Sequence, residues 1–195
     1  MNKAVDTRTA LVAAASELLT KGGPDHVTLR AVGAATGVSR TAPYRHFQDK
    51  DALLSAVAAE NLTWLIGQMR QAAADTTGEG TPLYRACLAY ARGAMERPDH
   101  YRLEFGDYQI QSPSQVLLDA ADECAAYFYE LVADAQRDRI LIPGDVREIA
   151  ALIWAMLHGQ VHLTLAEHLH EPRTVEGATV MPRLIALALQ SLAPH

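Results

Sequence analysis

Residues 39–46 read Ser39-Arg40-Thr41-Ala42-Pro43-Tyr44-Arg45-His46, and Lys50 follows four positions later. Hydroxyl, guanidinium, imidazole and ammonium groups all donate hydrogen bonds, and arginine does so in a planar fork. No carboxylate interrupts residues 39–46. Such a set recognises anionic oxygens and the hydrogen-bonding edges of planar rings. It does not by itself break bonds. No Ser/Cys–His–Asp ordering, phosphate loop or metal motif appears elsewhere to argue for catalysis. His158 and His162 stand four apart and could share a metal ion, but no Cys or carboxylate is placed to complete that site. A core or interface histidine is the expectation there, so no metal and no cofactor is expected.

These side chains need a helix to present them and a second helix to hold that one in place. The segment Thr28–Phe47, TLRAVGAATGVSRTAPYRHF, has the parts. Thr28 can cap a short helix that turns Leu29 and Val32 inward. Gly33 is small where two helices must approach closely. Gly37, four positions later, tolerates the positive φ of a tight turn. Val38 then fills the angle between the helices. Ser39 can cap the second helix, which places Pro43 in its first turn, where a missing N–H costs little. Ser39, Arg40, Thr41, Tyr44, Arg45 and His46 would face outward, with Ala42 and Phe47 inward. This is the pattern of a helix-turn-helix, whose second helix enters the major groove of DNA. An ordinary helical hairpin with a solvated charged face is the competing reading.

The rest of the chain reads as helix. Hydrophobic residues make up 49% of its 195 positions, enough to bury a sizeable core. Ala and Leu are frequent, and both lose little side-chain freedom in a helix. A first helix is expected over Arg8–Lys21, capped by Asp6 or Thr7 and stopped by Gly22-Gly23-Pro24, with Leu11, Ala14, Ala15, Leu18 and Leu19 on one face. Asp49 can cap a long fourth helix that fades into the loop Asp75–Pro82. Further helices are expected near Leu83–Glu96, Pro98–Phe105, Ser114–Arg139, Asp145–His170 and Val175–Ala193. The fold class is therefore all-α. A three-helix helix-turn-helix domain at 1–50 is joined through a long helix to a helical body at 51–195.

Charge separates the same two parts. The net charge is −6. Residues 1–50 hold seven basic and four acidic side chains, while the remainder holds ten basic and nineteen acidic. A basic head on an acidic body suits a localised polyanion-binding module. Cys87 and Cys124 match no metal spacing. With no export signal at the N-terminus and no apolar run of membrane-spanning length, two buried thiols and a cytoplasmic location are expected.

A longer stretch decides between the two readings of 28–47. Arg8-x2-Leu11, the Ala/Leu-rich first helix ending in Gly22, and VTLRAVGAATGVSRTAPYRHFQDKDALL at 27–54 closely resemble the tetracycline-repressor-like (TetR) family of bacterial regulators. Its strongest marks are Gly37-Val38-Ser39, Tyr44-x-His46-Phe47 and Lys50-x2-Leu53. Ala31 and Gly33 depart from the usual acidic residue and alanine. The resemblance implies operator binding by the helix-turn-helix, with a divergent helical C-terminal domain that dimerises and senses a small molecule. It implies phosphate contacts for Thr28 and Lys50, and backbone clamping by Tyr44 and His46. Arg40, Thr41 and Arg45 are the candidates for base edges, and Ala42 and Pro43 for a thymine methyl. Partners would be double-stranded operator DNA, an effector and a second copy of the chain through the last two helices.

Within the body, Trp154-x3-His158-Gly159 and RPDHYRLEF (97–105) resemble a C-terminal subtype named for a Trp…His-Gly signature. A sensing pocket needs apolar walls and a few directed polar groups. Its candidates are Trp64, Tyr90, Tyr101, Phe105, Tyr127, Phe128, Trp154 and His158, although aromatics at helical spacing are commonly core. A small enzyme using His158 or the His168/His170 cluster, and an adaptor that no longer binds DNA, are the alternatives. Repression released by a small molecule is the family default.

Overall fold

The computed structural model describes residues 3–168 and 180–194, and every regular element among them is helical. Nine α-helices run in order: α1 (Lys3–Gly22), α2 (Leu29–Thr36), α3 (Ala42–His46), α4 (Lys50–Ala74), α5 (Pro82–Glu96), α6 (Pro98–Phe105), α7 (Gln115–Arg137), α8 (Val146–Leu165) and α9 (Met181–Gln190). No described helix is long and apolar enough to cross a membrane. The residues form two compact units. Unit 1 comprises Met1–Thr63 and Arg97–Asp122, and unit 2 comprises Trp64–Glu96 and Glu123–His195. Unit 1 thus holds more than the first fifty residues. Helices α4 and α7 each contribute to both units.

Unit 1 is built on the stripe read from the first helix. Leu11, Ala15 and Leu19 are fully buried, with Ala14 and Leu18 packed against the same core. Val27, Leu29, Val32, Phe47, Leu53, Leu54, Val57 and Leu103 complete it. Each such side chain contributes about 1.5–3 kcal/mol by leaving water. Helix α1 starts earlier than expected, so Asp6 and Thr7 lie inside it and do not cap it. Val12 joins the buried face and extends the stripe.

In unit 2, Gly93 on α5 allows close approach of α4: a Cβ there would stand 2.6 Å from Leu65 Cδ1 and 3.2 Å from Trp64 Cζ3. The end of α4 leaves carbonyls without helical partners. Arg85 satisfies two of them, donating from Nε to Ala72 O at 2.9 Å and from a terminal nitrogen to Ala73 O at 2.9 Å. Asp145 caps α8, its carboxylate accepting from the backbone N–H groups of Arg147 and Glu148 at 2.8 and 3.1 Å. Helix α8 ends at Leu165, short of the expected His170, and Glu167 just beyond has a φ of 57°. His170 and the expected start of the last helix at Val175 lie outside the described residues.

Candidate nucleic-acid interface and effector site

The presentation of α3 begins with its support. Thr28 adopts extended backbone and its hydroxyl accepts the Ala31 N–H at 3.1 Å, fixing the start of α2. Gly37 ends α2 in the left-handed region, at φ 69°, and its N–H donates to Ala34 O. Val38 packs, partly buried, against the unit 1 core. The close approach expected at Gly33 is present, and its partner is Pro43: a Cβ on Gly33 would lie 3.0 Å from Pro43 Cγ.

Two expectations are corrected here. Helix α3 starts at Ala42, with Thr41 as N-cap, not at Ser39. Ser39 contributes its carbonyl, which accepts the Ala42 N–H at 3.0 Å and closes a turn ahead of the helix. Pro43 occupies the first turn, as its missing N–H allows, but it is buried and faces α2. It therefore cannot offer a surface to a thymine methyl.

The remaining residues stand where a partner can meet them. Thr28, Ser39, Arg40, Thr41, Tyr44 and Arg45 are exposed, Tyr44 at 59% despite its large ring. His46 and Lys50 are half-buried. Phe47 closes the helix inward, and the Arg8 guanidinium lies over its ring at 5.3 Å. That contact ties α1 to the end of α3. Helix α4 starts with the expected cap, Asp49 accepting the Ala52 N–H at 2.8 Å. Lys50, in its first turn, pairs with Asp25 at 3.6 Å and sits 5.3 Å from the centre of the Tyr108 ring. Sequence reasoning missed Tyr108, because nothing local connects positions 50 and 108.

The eight aromatic and histidine candidates divide. Tyr90 on α5, Phe128 on α7, and Trp154 and His158 on α8 form one cluster, all in unit 2. Ring centroids are 4.8 Å apart for Tyr90–Trp154, 5.2 Å for Phe128–Trp154 and 4.4 Å for Trp154–His158. The Tyr90 hydroxyl and His158 Nε2 are hydrogen-bonded at 2.8 Å. Burial pushes His158 down to about 4, so its ring is neutral at physiological pH. Trp64, also in unit 2, lies against Gly93. Tyr127 sits beneath the Arg70 guanidinium, 5.0 Å from its ring centre, and Arg70 pairs with Glu123 at 2.9 Å. Tyr101 and Phe105 belong to unit 1, where their rings are 5.3 Å apart. An apolar recess between α5, α8 and α9 had no sequence signal. Gln160 lines it, with its amide oxygen buried and without a hydrogen-bond partner. Cys87 and Cys124 are buried and not joined in a disulfide, and burial pushes Cys87 up to about 12.

Residues 11–57 match the family described as bacterial regulatory proteins, tetR family, and residues 83–186 match the tetracyclin repressor-like C-terminal domain. The chain belongs to the TetR family. It is a DNA-binding transcription regulator. Over 194 residues the chain is 28% identical to the tetracycline repressor protein class C of Escherichia coli, covering 94% of this chain and 80% of that one. It resembles the structure of a protein with unknown function from Rhodococcus sp. RHA1, with a TM-score of 0.80, 25% identity and 96% of each chain covered. A TetR family transcription regulator from Marinobacter aquaeolei VT8 shares the fold, with a TM-score of 0.71 at 18% identity over 100% of both chains. TetR regulators are in general not enzymes.

Proposed function

We propose that this regulator is a cytoplasmic repressor that leaves its operator when a small, uncharged, largely apolar effector binds the C-terminal body. The observation that carries the DNA half is the buried Gly33–Pro43 contact, which turns Arg40, Thr41, Tyr44 and Arg45 together into solvent. Arg40, Thr41 and Arg45 read base edges; Thr28, Tyr44, His46 and Lys50 hold phosphates; Ser39 sits beside them at the turn. The functional boundary falls near residue 50, with reading before it and sensing after it.

The effector half rests on the cluster of Tyr90, Phe128, Trp154 and His158. Its side chains are aromatic, and its one titratable cation is neutral at physiological pH. An uncharged ligand would enter without leaving a buried charge unpaired. The Trp154…His158-Gly159 spacing supports a proposed assignment to the Trp…His-Gly subtype. Helix α4 runs unbroken from Lys50 to Ala74, so a ligand-favoured tilt of its far end would move the reading head. The ligand must favour the released state by a few kcal/mol for this to work.

A homodimer through α8 and α9 completes the proposal. Leu152 and Leu163 on α8 and Leu187 on α9 are 49%, 41% and 50% exposed. Among the described residues, nothing beyond the chain neighbours of Gly159 and the nearby backbone of α8 lies within 4 Å of where a Gly159 Cβ would be. Two copies would place their reading helices about 34–36 Å apart, on successive major grooves. The test is selection of bound duplexes from a random pool at stated salt, repeated with candidate effectors. A recovered palindromic site that one effector releases supports the reading. Failure to recover any preferred sequence contradicts it.

A further inference from the structure

We propose that loop 106–114, between α6 and α7, positions Lys50 for its phosphate contact, with Tyr108 and Asp51 as the positioning residues. The inference rests on the reading of Lys50 as a phosphate ligand and adds what sets it. The loop is fastened to one face of the first turns of α4. Asp51 Oδ2 accepts the backbone N–H groups of Gln111 at 2.9 Å and Ser112 at 3.2 Å. One turn on, the buried Ser55 hydroxyl accepts the Ser114 N–H at 3.1 Å. Residues 51 and 55 are four apart and share that face. Tyr108 and Ile110 pack, partly buried, against the unit 1 core. The Tyr108 ring is therefore held by the core and by the fastened loop that follows it, and the Lys50 ammonium lies 5.3 Å from the ring centre.

Two groups hold that ammonium, and they are unequal. The Asp25 side chain is 97% exposed, and an ion pair so wet is weak and screened by salt. The Tyr108 face is partly desolvated, where a cation–π contact is stronger. A lysine on its flexible four-carbon stem loses conformational freedom when it meets a phosphate. Holding the stem near its final place beforehand reduces that loss. A change in α6 that loosened the loop would then weaken DNA binding through Lys50 without moving α3.

The test uses the full chain and random-sequence duplex DNA titrated at several salt concentrations. Each phosphate contact contributes about 0.9 to the slope of log K against log salt. Lys50→Ala is expected to lower the slope by about 0.9 per chain. Tyr108→Leu is expected to lower it in the same direction, Tyr108→Phe to restore it, and the double variant Lys50→Ala/Tyr108→Leu to lose no more than Lys50→Ala alone. Asp51→Ala supplies a second variant that leaves Tyr108 in place. Removing an acidic group next to DNA should by itself tighten binding, whereas release of the loop should lower the slope. Thermal melting confirms that each variant is folded. A wild-type slope for Tyr108→Leu and Asp51→Ala, with a lowered slope for Lys50→Ala, overturns the positioning role while sparing the phosphate contact. An unchanged slope for Lys50→Ala overturns both.

Discussion

The surface formed by α3 and the turn ahead of it in unit 1 and the aromatic cluster of unit 2 treat polar groups in opposite ways. At the first, Arg40, Thr41, Tyr44 and Arg45 stay in solvent over a small apolar core. At the second, His158 is drawn out of water, bonded to Tyr90 and kept neutral against the rings of Tyr90 and Trp154. On the proposed reading, a surface meant to exchange water for phosphate keeps its donors exposed, and an interior meant for an uncharged ligand keeps charge away. Unit 1 departs from its own pattern at Glu104. Its Oε1 accepts from Asn61 at 2.9 Å, but its Oε2 is buried without a partner. Burial pushes the carboxyl up to about 8.

That departure carries the largest expected effect. The folded pKa of Glu104 is raised above its ordinary 4.5. The neutral acid is therefore tolerated at low pH, and stability falls as pH rises from 4.5 through about 8, by up to about 1.4 kcal/mol per pH unit. Denaturant titrations across that window should show the decline, and Glu104→Gln should flatten it. A wild-type slope retained in the variant would assign the decline to another group. His158 works with the opposite sign. Its folded pKa is lowered from 6.5 to about 4, so its contribution is complete above pH 6.5 and is lost as pH falls toward 4. Unfolding of His158→Gln should lack this acid limb. Equal acid sensitivity in both proteins would mean that the ring is not held neutral by the fold.

Glycine changes sharpen the same contrast with smaller effects. Gly37→Ala forces a side chain into the left-handed region and should lower stability by about 1–2 kcal/mol. Gly159→Ala meets nothing among the described residues beyond its own stretch of α8 and should gain about 0.5–1 kcal/mol of helix stability at low concentration. If α8 pairs with its copy, the added methyl should also weaken the dimer in sedimentation experiments. A dimer as tight as wild type would remove Gly159 from the interface.

Legibility followed sequence distance. Thr28, Gly37 and Asp49 act on neighbours three residues away, and Gly33 meets Pro43 ten residues on within the same motif, so their roles could be read from spacing. Pro43 was misjudged because the pattern shows that a proline fits a first turn, not which way the ring faces. The early start of α1 escaped because no cap or breaker marks it. The cluster of residues 90, 128, 154 and 158 depends on three helices meeting. Spacing alone could not separate these residues from Tyr101, Phe105 and Tyr127. The grip of loop 106–114 on α4 was invisible for the same reason.

The central claim is that Arg45 on α3, with Arg40 and Thr41 just ahead of the helix, reads sequence. Arg45→Ala and wild type should be titrated side by side, at one salt concentration, against a duplex recovered by selection and against random-sequence DNA. The account predicts a loss of about 1–3 kcal/mol on the selected duplex, with discrimination relaxed at one base position and little change on random DNA. Equal loss on both duplexes would contradict it.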